Sequence, residues 1–237
     1  MATDKAGFTL WFTGMHGAGK STLAGWLGQR LARVGRRVEV LDGAELEKAK
    51  LSSALEGTKD SRNDEVRRLG YVTRLLTRNG VIAIAAQVSP YREPRDTLRR
   101  EIGRFVEVFV DCPVETLIER DQKGLYKKAL AGELPNFTGI TEPYEPPANP
   151  EITVETQQES VEQSAQKILQ ALLDLGYLSP AEVTAIVGQR ARRRPVDRKA
   201  ARRPARAARR SAAKPKRTVT RKAVRSVKGA AHRRARR

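Results

Sequence analysis

The sequence predicts an α/β fold: a parallel five-stranded sheet flanked by helices, followed by a disordered C-terminal tail. Short apolar runs alternate with segments of helical spacing, the pattern of repeated βαβ units. The run Val81-Ile82-Ala83-Ile84-Ala85 is apolar at every position, which suits a strand with helices on both of its faces. Charge is also partitioned. Of 46 Lys+Arg and 27 Asp+Glu residues, 22 and one lie in residues 189–237, so this tail carries +21 and residues 1–188 carry −2.

The elements follow in order. Phe8-Thr9-Leu10-Trp11-Phe12 predicts the first strand, ending at Gly14. Leu23, Leu27, Leu31 and Val34 share one face of a helix over 21–34, with Gly35 as its stop. Val38 to Leu41 predicts a second strand. Val66, Leu69, Val72 and Leu76 predict a helix over 63–78, closed by Asn79-Gly80. The third strand is Val81–Ala85, the fourth Phe105–Val110 and the last Ile152–Val154. Thr156-Gln157-Gln158-Glu159 has the spacing of a capping box and predicts a helix running through Leu175. Ser179-Pro180-Ala181-Glu182 predicts one more short capping helix over 179–188. The domain organisation expected is therefore 1–178, 179–188 and the tail 189–237.

Composition excludes several classes. A single cysteine, Cys112, cannot form an internal disulfide and fits a reducing compartment. No apolar run approaches the roughly 20 residues of a membrane span, and MATDKAGFTL lacks the basic-then-apolar order of a secretory leader. A cytoplasmic protein without a membrane partner is expected. The tail contains no Phe, Tyr, Trp, Leu or Ile, so it has too little apolar area to offset the entropy of ordering. Its Lys/Arg-Ala-Pro composition resembles linker-histone tails. It is either a solvated charge run or a segment that binds nucleic acid without sequence preference, by counterion release.

The first strand runs into Gly14-Met15-His16-Gly17-Ala18-Gly19-Lys20-Ser21-Thr22, a G-x-x-x-x-G-K-S loop between strand and helix. The glycines let successive backbone N–H groups face phosphate oxygens, and the helix N-terminus adds partial positive charge. Lys20 then reaches the β- and γ-phosphates, and the Ser21 hydroxyl is a ligand for Mg²⁺. This layout defines a P-loop NTPase fold that binds ATP or GTP. His16 falls at a free position of the loop and reads as a spacer. Asp42, ending the second strand in Leu-Asp-Gly, either orients Mg²⁺ or forms an Asx turn. Ser89 and Arg92 follow the carboxyl end of the third strand, where open α/β sheets place their ligands. Arg120 to Glu145 is polar, rich in Gly and Pro, and long enough to predict a mobile lid over the phosphates.

Over about residues 7–178 the chain resembles the adenylylsulfate kinases, which phosphorylate the 3′-hydroxyl of 5′-adenylylsulfate. The segments that carry this are GFTLWFTG, VEVLDG, RLLTRNGVIAI, SPYREPRD, FVEVFVDCPVE and ERDQKGLYKKALAGELPNFTGITEPYEPPANPE. The motifs Ser89-Pro90-Tyr91-Arg92, Lys123-Gly124-Leu125-Tyr126 and Phe137-Thr138-Gly139-Ile140 are specific to the family. The resemblance implies ATP and Mg²⁺ as cofactors, a nucleotide substrate and a homodimer. It implies that Arg120 and Lys123 meet ATP or substrate phosphate, that Arg62 and Arg67 bind substrate, and that Phe137 stacks on the substrate adenine. A serine at position 89 makes a phosphoenzyme conceivable, though in-line transfer requires none.

The departures from that pattern cluster on the acceptor side. Family members read Asp-Gly-Asp where this chain has Asp42-Gly43-Ala44. The family's substrate arginine is Glu47, its second stacking phenylalanine is Gly57, and an asparagine is Glu65, while Arg62 is kept. Three functions are therefore weighed: an adenylylsulfate kinase tolerating these changes, a kinase for another hydroxylated small molecule, and a nucleotide-responsive nucleic-acid-binding protein.

Overall fold

The fold was obtained as a computed structural model that describes residues 6–49 and 58–188. The tail 189–237 and Gly57, on which two of the expectations fall, lie outside the described residues. Five strands form one sheet: β1 (Phe8–Thr13), β2 (Val38–Asp42), β3 (Ile82–Ala86), β4 (Phe105–Asp111) and β5 (Ile152–Glu155). Their order is β2-β3-β1-β4-β5, and every pairing is parallel. Asp42, Ala86, Phe12 and Val108 sit side by side in register near the carboxyl edge. The loops that leave this edge can therefore converge on one ligand.

Helices cover both faces, as the apolar strands require. On one face α1 (Lys20–Arg33) and α7 (Val161–Asp174) bury Leu23, Leu27, Leu31, Ile168, Leu169 and Leu172 against Phe8, Leu10 and Phe12 of β1. On the other, α3 (Lys59–Arg78) and α4 (Arg92–Ile102) bury Val66, Leu69 and Leu98 around Trp11, Ala85 and Phe105. β1 is buried along its whole length. Each large apolar side chain taken fully out of water there contributes about 1.5–3 kcal/mol.

Two helix starts differ from expectation for local reasons. α3 begins at Lys59 because the Thr58 side chain accepts from Ser61 N–H and caps it. α7 begins at Val161 because Ser160 and Gln163 form a reciprocal capping box. The Thr156 hydroxyl, expected to cap, instead donates to the Ala18 carbonyl at 2.8 Å and ties β5 to the P-loop. Ser179 and Glu182 do form the second capping box, opening α8 (Pro180–Val187). α8 packs into the domain: Ile186 is buried in the core, and the half of Glu182 facing inward meets Arg36 at 3.4 Å. Short helices α2 (Gly43–Lys48), α5 (Val114–Glu119) and α6 (Leu125–Leu130) complete the described residues. None of these described helices is long and apolar enough to cross a membrane.

α4 is the most polar of the long helices, and it is held by charge. Arg95, 1% exposed, donates to Glu107 of β4 at 2.7 Å, and Arg99 meets the same carboxylate at 2.9 Å. Arg99 also pairs with Glu151, whose other oxygen accepts from Glu107 N–H. Glu107→Ala would leave the Arg95 guanidinium buried beside no countercharge on β4. We expect it to lower the unfolding free energy by about 3–5 kcal/mol in urea titration. A loss below about 1 kcal/mol, the size of an exposed pair, would show that the network does not hold α4.

Candidate active site

The loop after β1 needs backbone that only glycine supplies. Gly14 has φ +146°, and a Cβ there would lie 2.4 Å from the Val110 carbonyl oxygen. Gly17 and Gly19 also have positive φ, at 77° and 105°. The loop is then clamped from outside, by Thr156 on the Ala18 carbonyl and by the Tyr126 hydroxyl on the His16 carbonyl at 2.8 Å. Lys20, 9% exposed, curls back and donates to the carbonyls of Gly14 and Met15, both at 2.8 Å. Burial lowers its pKa to about 7, against the opposing pull of the Asp42 carboxylate.

Ser21 Oγ donates to Asp42 Oδ1 at 3.0 Å, which joins the end of β2 to the start of α1. The same carboxylate oxygen accepts from Ala44 N–H at 2.9 Å. Asp42 thus forms the Asx-type turn and faces Ser21 at once. These residues open on a cavity of about 450 Å³ lined also by Gly17, Gly19, Gln87, Arg120 and Lys123. Arg120 is fixed there by the Thr156 carbonyl, which its Nη2 meets at 2.9 Å. Lys20, Arg120 and Lys123 give the cavity a positive lining, which suits a polyphosphate.

Behind the P-loop lies a much tighter cleft, about 10 Å³, lined by His16, Arg62, Glu65, Val88, Ser89 and Thr138 among others. Arg62 is 5% exposed; it donates to Thr138 Oγ1 at 3.1 Å and to the Asn136 carbonyl. Phe137 is 1% exposed, with one face stacked on His16 at 5.2 Å and the edge of Tyr126 at 5.0 Å. The Phe137 ring is thus enclosed by His16 and Tyr126. His16, expected as a spacer, packs its ring on Phe137. Burial first, then the charges of Lys20, Arg62 and Lys123, lower its pKa to about 3, so it is neutral at physiological pH. Residues 120–145, expected as a mobile lid, contain α6 and dock on the P-loop through Tyr126 and Phe137.

Other expected site residues are placed differently. Ser89 has φ +41°, and its buried hydroxyl accepts from Trp11 Nε1 at 3.1 Å and bonds Thr13 Oγ1 at 3.0 Å. These bonds tie the loop after β3 to β1. Arg92 Nε donates to the Pro146 carbonyl at 2.6 Å, outside both cavities. Arg67 pairs on the surface with Asp64 and Glu93, at 3.3 and 3.2 Å. The sequence pattern named Tyr126 and Thr156 without the contacts they make to the His16 and Ala18 carbonyls, and did not single out Gln87, because these contacts join distant parts of the chain. No group of three or more potential metal-ligating His, Cys, Asp or Glu side chains occurs among the described residues.

A positively lined P-loop cavity at the carboxyl edge of a parallel sheet, with a second cleft beside its phosphate end, defines a P-loop phosphotransferase. The chain belongs to the adenylylsulfate kinase family, whose model matches residues 6–155. It is 47% identical over 177 residues to the adenylyl-sulfate kinase of Picosynechococcus sp., covering 75% of this chain and 99% of that protein. It is 51% identical over 173 residues to that of Rippkaea orientalis, covering 73% and 95%. The Mycobacterium tuberculosis APS kinase, solved in complex with AMPPNP and APS, superposes with a TM-score of 0.65 at 36% identity, covering 70% and 98%. These likenesses do not favour another small-molecule acceptor or a nucleic-acid switch as the principal function.

Proposed function

We propose that the protein transfers the γ-phosphoryl group of ATP to the 3′-hydroxyl of 5′-adenylylsulfate, giving 3′-phosphoadenylylsulfate. The observation that carries this is the complete phosphate cradle of Gly14–Thr22 set directly beside the Arg62 cleft, in a chain of this family. The acceptor hydroxyl oxygen attacks the γ-phosphorus in line, the bond from γ-phosphorus to the bridging oxygen breaks, ADP leaves, and the hydroxyl proton is released to solvent through the phosphate oxygens. Such a transfer needs positioning and charge neutralisation more than covalent help. Lys20 leaves the Gly14 and Met15 carbonyls for the β- and γ-phosphates, while Arg120 and Lys123 face the rest of the polyphosphate. Ser21 Oγ and Asp42 Oδ1 form a pair of hard oxygen donors that fits Mg²⁺, and these two residues would hold it. When bound, the ion neutralises phosphate charge.

The homodimer implied by the resemblance and a cytoplasmic location belong to the same proposal. So does non-specific nucleic-acid binding by residues 189–237, supported by their charge of +21. ADP release coupled to NADH oxidation, with ATP and adenylylsulfate as substrates, tests the reaction. We expect adenylylsulfate-dependent turnover in the full chain and in residues 1–188 alike. Absence of turnover in both overturns the proposal. On duplex DNA only the full chain should bind, and contact with about 10 phosphates gives a log–log salt slope of about −9. Equal affinity of the shortened chain would remove the tail from this role.

A further inference from the structure

Gln87 follows β3 at the carboxyl edge, one residue beyond the row of Asp42, Ala86 and Phe12, and its N–H donates to the Phe12 carbonyl at 3.2 Å. Its side chain runs past the Asp42–Ala44 turn: Cγ lies 3.5 Å from where a Cβ on Gly43 would stand. Gln87 lines both the P-loop cavity and the Arg62 cleft, a position it shares with His16 and Val88. The residue is 8% exposed, yet its Oε1 is buried without a hydrogen-bond partner among the described residues. Buried amide oxygens are almost always paired. Rotation about the last side-chain torsion exchanges Oε1 and Nε2, so the group can present an acceptor or a donor to the seam.

We infer that Gln87 is the acceptor-orienting residue of this kinase. Its amide takes the hydrogen bond of the substrate hydroxyl as that oxygen approaches the γ-phosphorus from the cleft. This rests on the phosphotransfer reading above. A hydroxyl that crosses from the cleft to the phosphate cradle passes His16, Gln87 or Val88. His16 has its ring on Phe137, and Val88 is apolar. Of the three, Gln87 is the one whose side chain carries a buried polar atom without a hydrogen-bond partner among the described residues. Its neighbour across the turn, Ala44, lines the same cavity and has no polar side chain. An amide at 87 supplies hydrogen bonding that position 44 does not. It holds the hydroxyl without titrating.

The test compares the full chain with Gln87→Ala, Gln87→Glu, Ala44→Asp and the double variant Gln87→Ala/Ala44→Asp. Each is assayed with adenylylsulfate, and each is titrated with AMPPNP and melted. Misplacement of a reacting group costs about 10²-fold. We expect Gln87→Ala to lower kcat for adenylylsulfate by that order, with AMPPNP affinity and Tm unchanged. In the double variant Ala44→Asp should recover most of the loss, a coupling that independent sites do not show. Gln87→Glu should introduce an acidic limb into the pH profile that the parent lacks. If the parent turns adenylylsulfate over and Gln87→Ala matches it, the inference falls while the function stands. If Gln87→Ala loses AMPPNP affinity and Tm along with kcat, Gln87 is structural and the inference also falls. If the parent itself shows no turnover, the functional reading fails first, and the inference with it.

Discussion

Lys20→Ala is expected to abolish phosphoryl transfer and to leave the fold standing. The cradle that binds the phosphates is built from backbone, shaped by Gly14, Gly17 and Gly19 and clamped by Thr156 and Tyr126, so it survives the substitution. What is lost is the positive charge that follows the γ-phosphoryl group. Removing one donor to a developing oxyanion costs about 10²–10³ in rate, and a cation on a transferring phosphoryl group about 10³–10⁵. We therefore expect kcat to fall by ~10³ or more, with Tm unchanged. The depressed pKa adds a second signature. Lys20 is held at about 7 in the free protein. A polyphosphate beside it favours the charged form and raises that value. The bound state then carries more protons than the free state above pH 7, so ATP affinity falls as pH rises through that range. Calorimetry at pH 8 in buffers of different ionisation enthalpy should show proton uptake in the parent and none in Lys20→Ala. Equal turnover by the variant, or uptake that persists in it, would remove Lys20 from the phosphate site.

The parts of this protein legible in its sequence are those governed by local pattern. The central strands β1 and β3 are largely apolar and buried along their length, as strands covered on both faces require, while β2 and β5 show instead as short runs with polar residues between the apolar ones. The P-loop is legible because each residue does its work within one turn of its neighbours. The helix α4 is not, because Arg95 and Arg99 read as surface charge until Glu107 and Glu151, on and beyond β4, are brought under them. Thr156 shows the same limit in reverse. Its local spacing suits a cap, but a partner 138 residues away, the Ala18 carbonyl, wins its hydroxyl. On the acceptor side the motifs named residues that the structure places in different surroundings. Arg62 lines the cleft, whereas Arg67 and Arg92 turn outward to Glu93 and Pro146. Nothing in the spacing of these residues distinguishes them; only the packing of α3 against α4 does. The stacking of His16 on Phe137 was equally out of reach, since it joins two loops 121 positions apart.

Restoring two acceptor-side residues should raise adenylylsulfate turnover, and the two changes should act on different constants. Glu65 lines the cleft with Arg62 and Thr138, and under the proposed function its carboxylate would face an anionic phosphosulfate. At an effective dielectric of about 20, like charges some 5 Å apart repel by roughly 3 kcal/mol before screening. Glu65→Asn removes that repulsion and should lower KM for adenylylsulfate by about tenfold once salt and water have reduced the effect. It leaves kcat alone, because the charge opposes ground state and transition state equally. Ala44 lines the P-loop cavity instead, its N–H on Asp42 Oδ1, where the γ-phosphate is expected. Ala44→Asp adds a carboxylate within reach of the attacking hydroxyl. A positioned base contributes about 10²–10⁴ in rate. The gain in kcat should sit near the lower end, since Gln87 already holds the hydroxyl. AMPPNP affinity should be unchanged in both variants and in the double variant, where the gains combine in kcat/KM. Steady-state kinetics at fixed ionic strength decides the matter. If neither constant moves, Arg62 already neutralises Glu65 and the amide of Gln87 is sufficient at the seam. The departures at 44 and 65 would then be neutral substitutions rather than the source of weaker acceptor use.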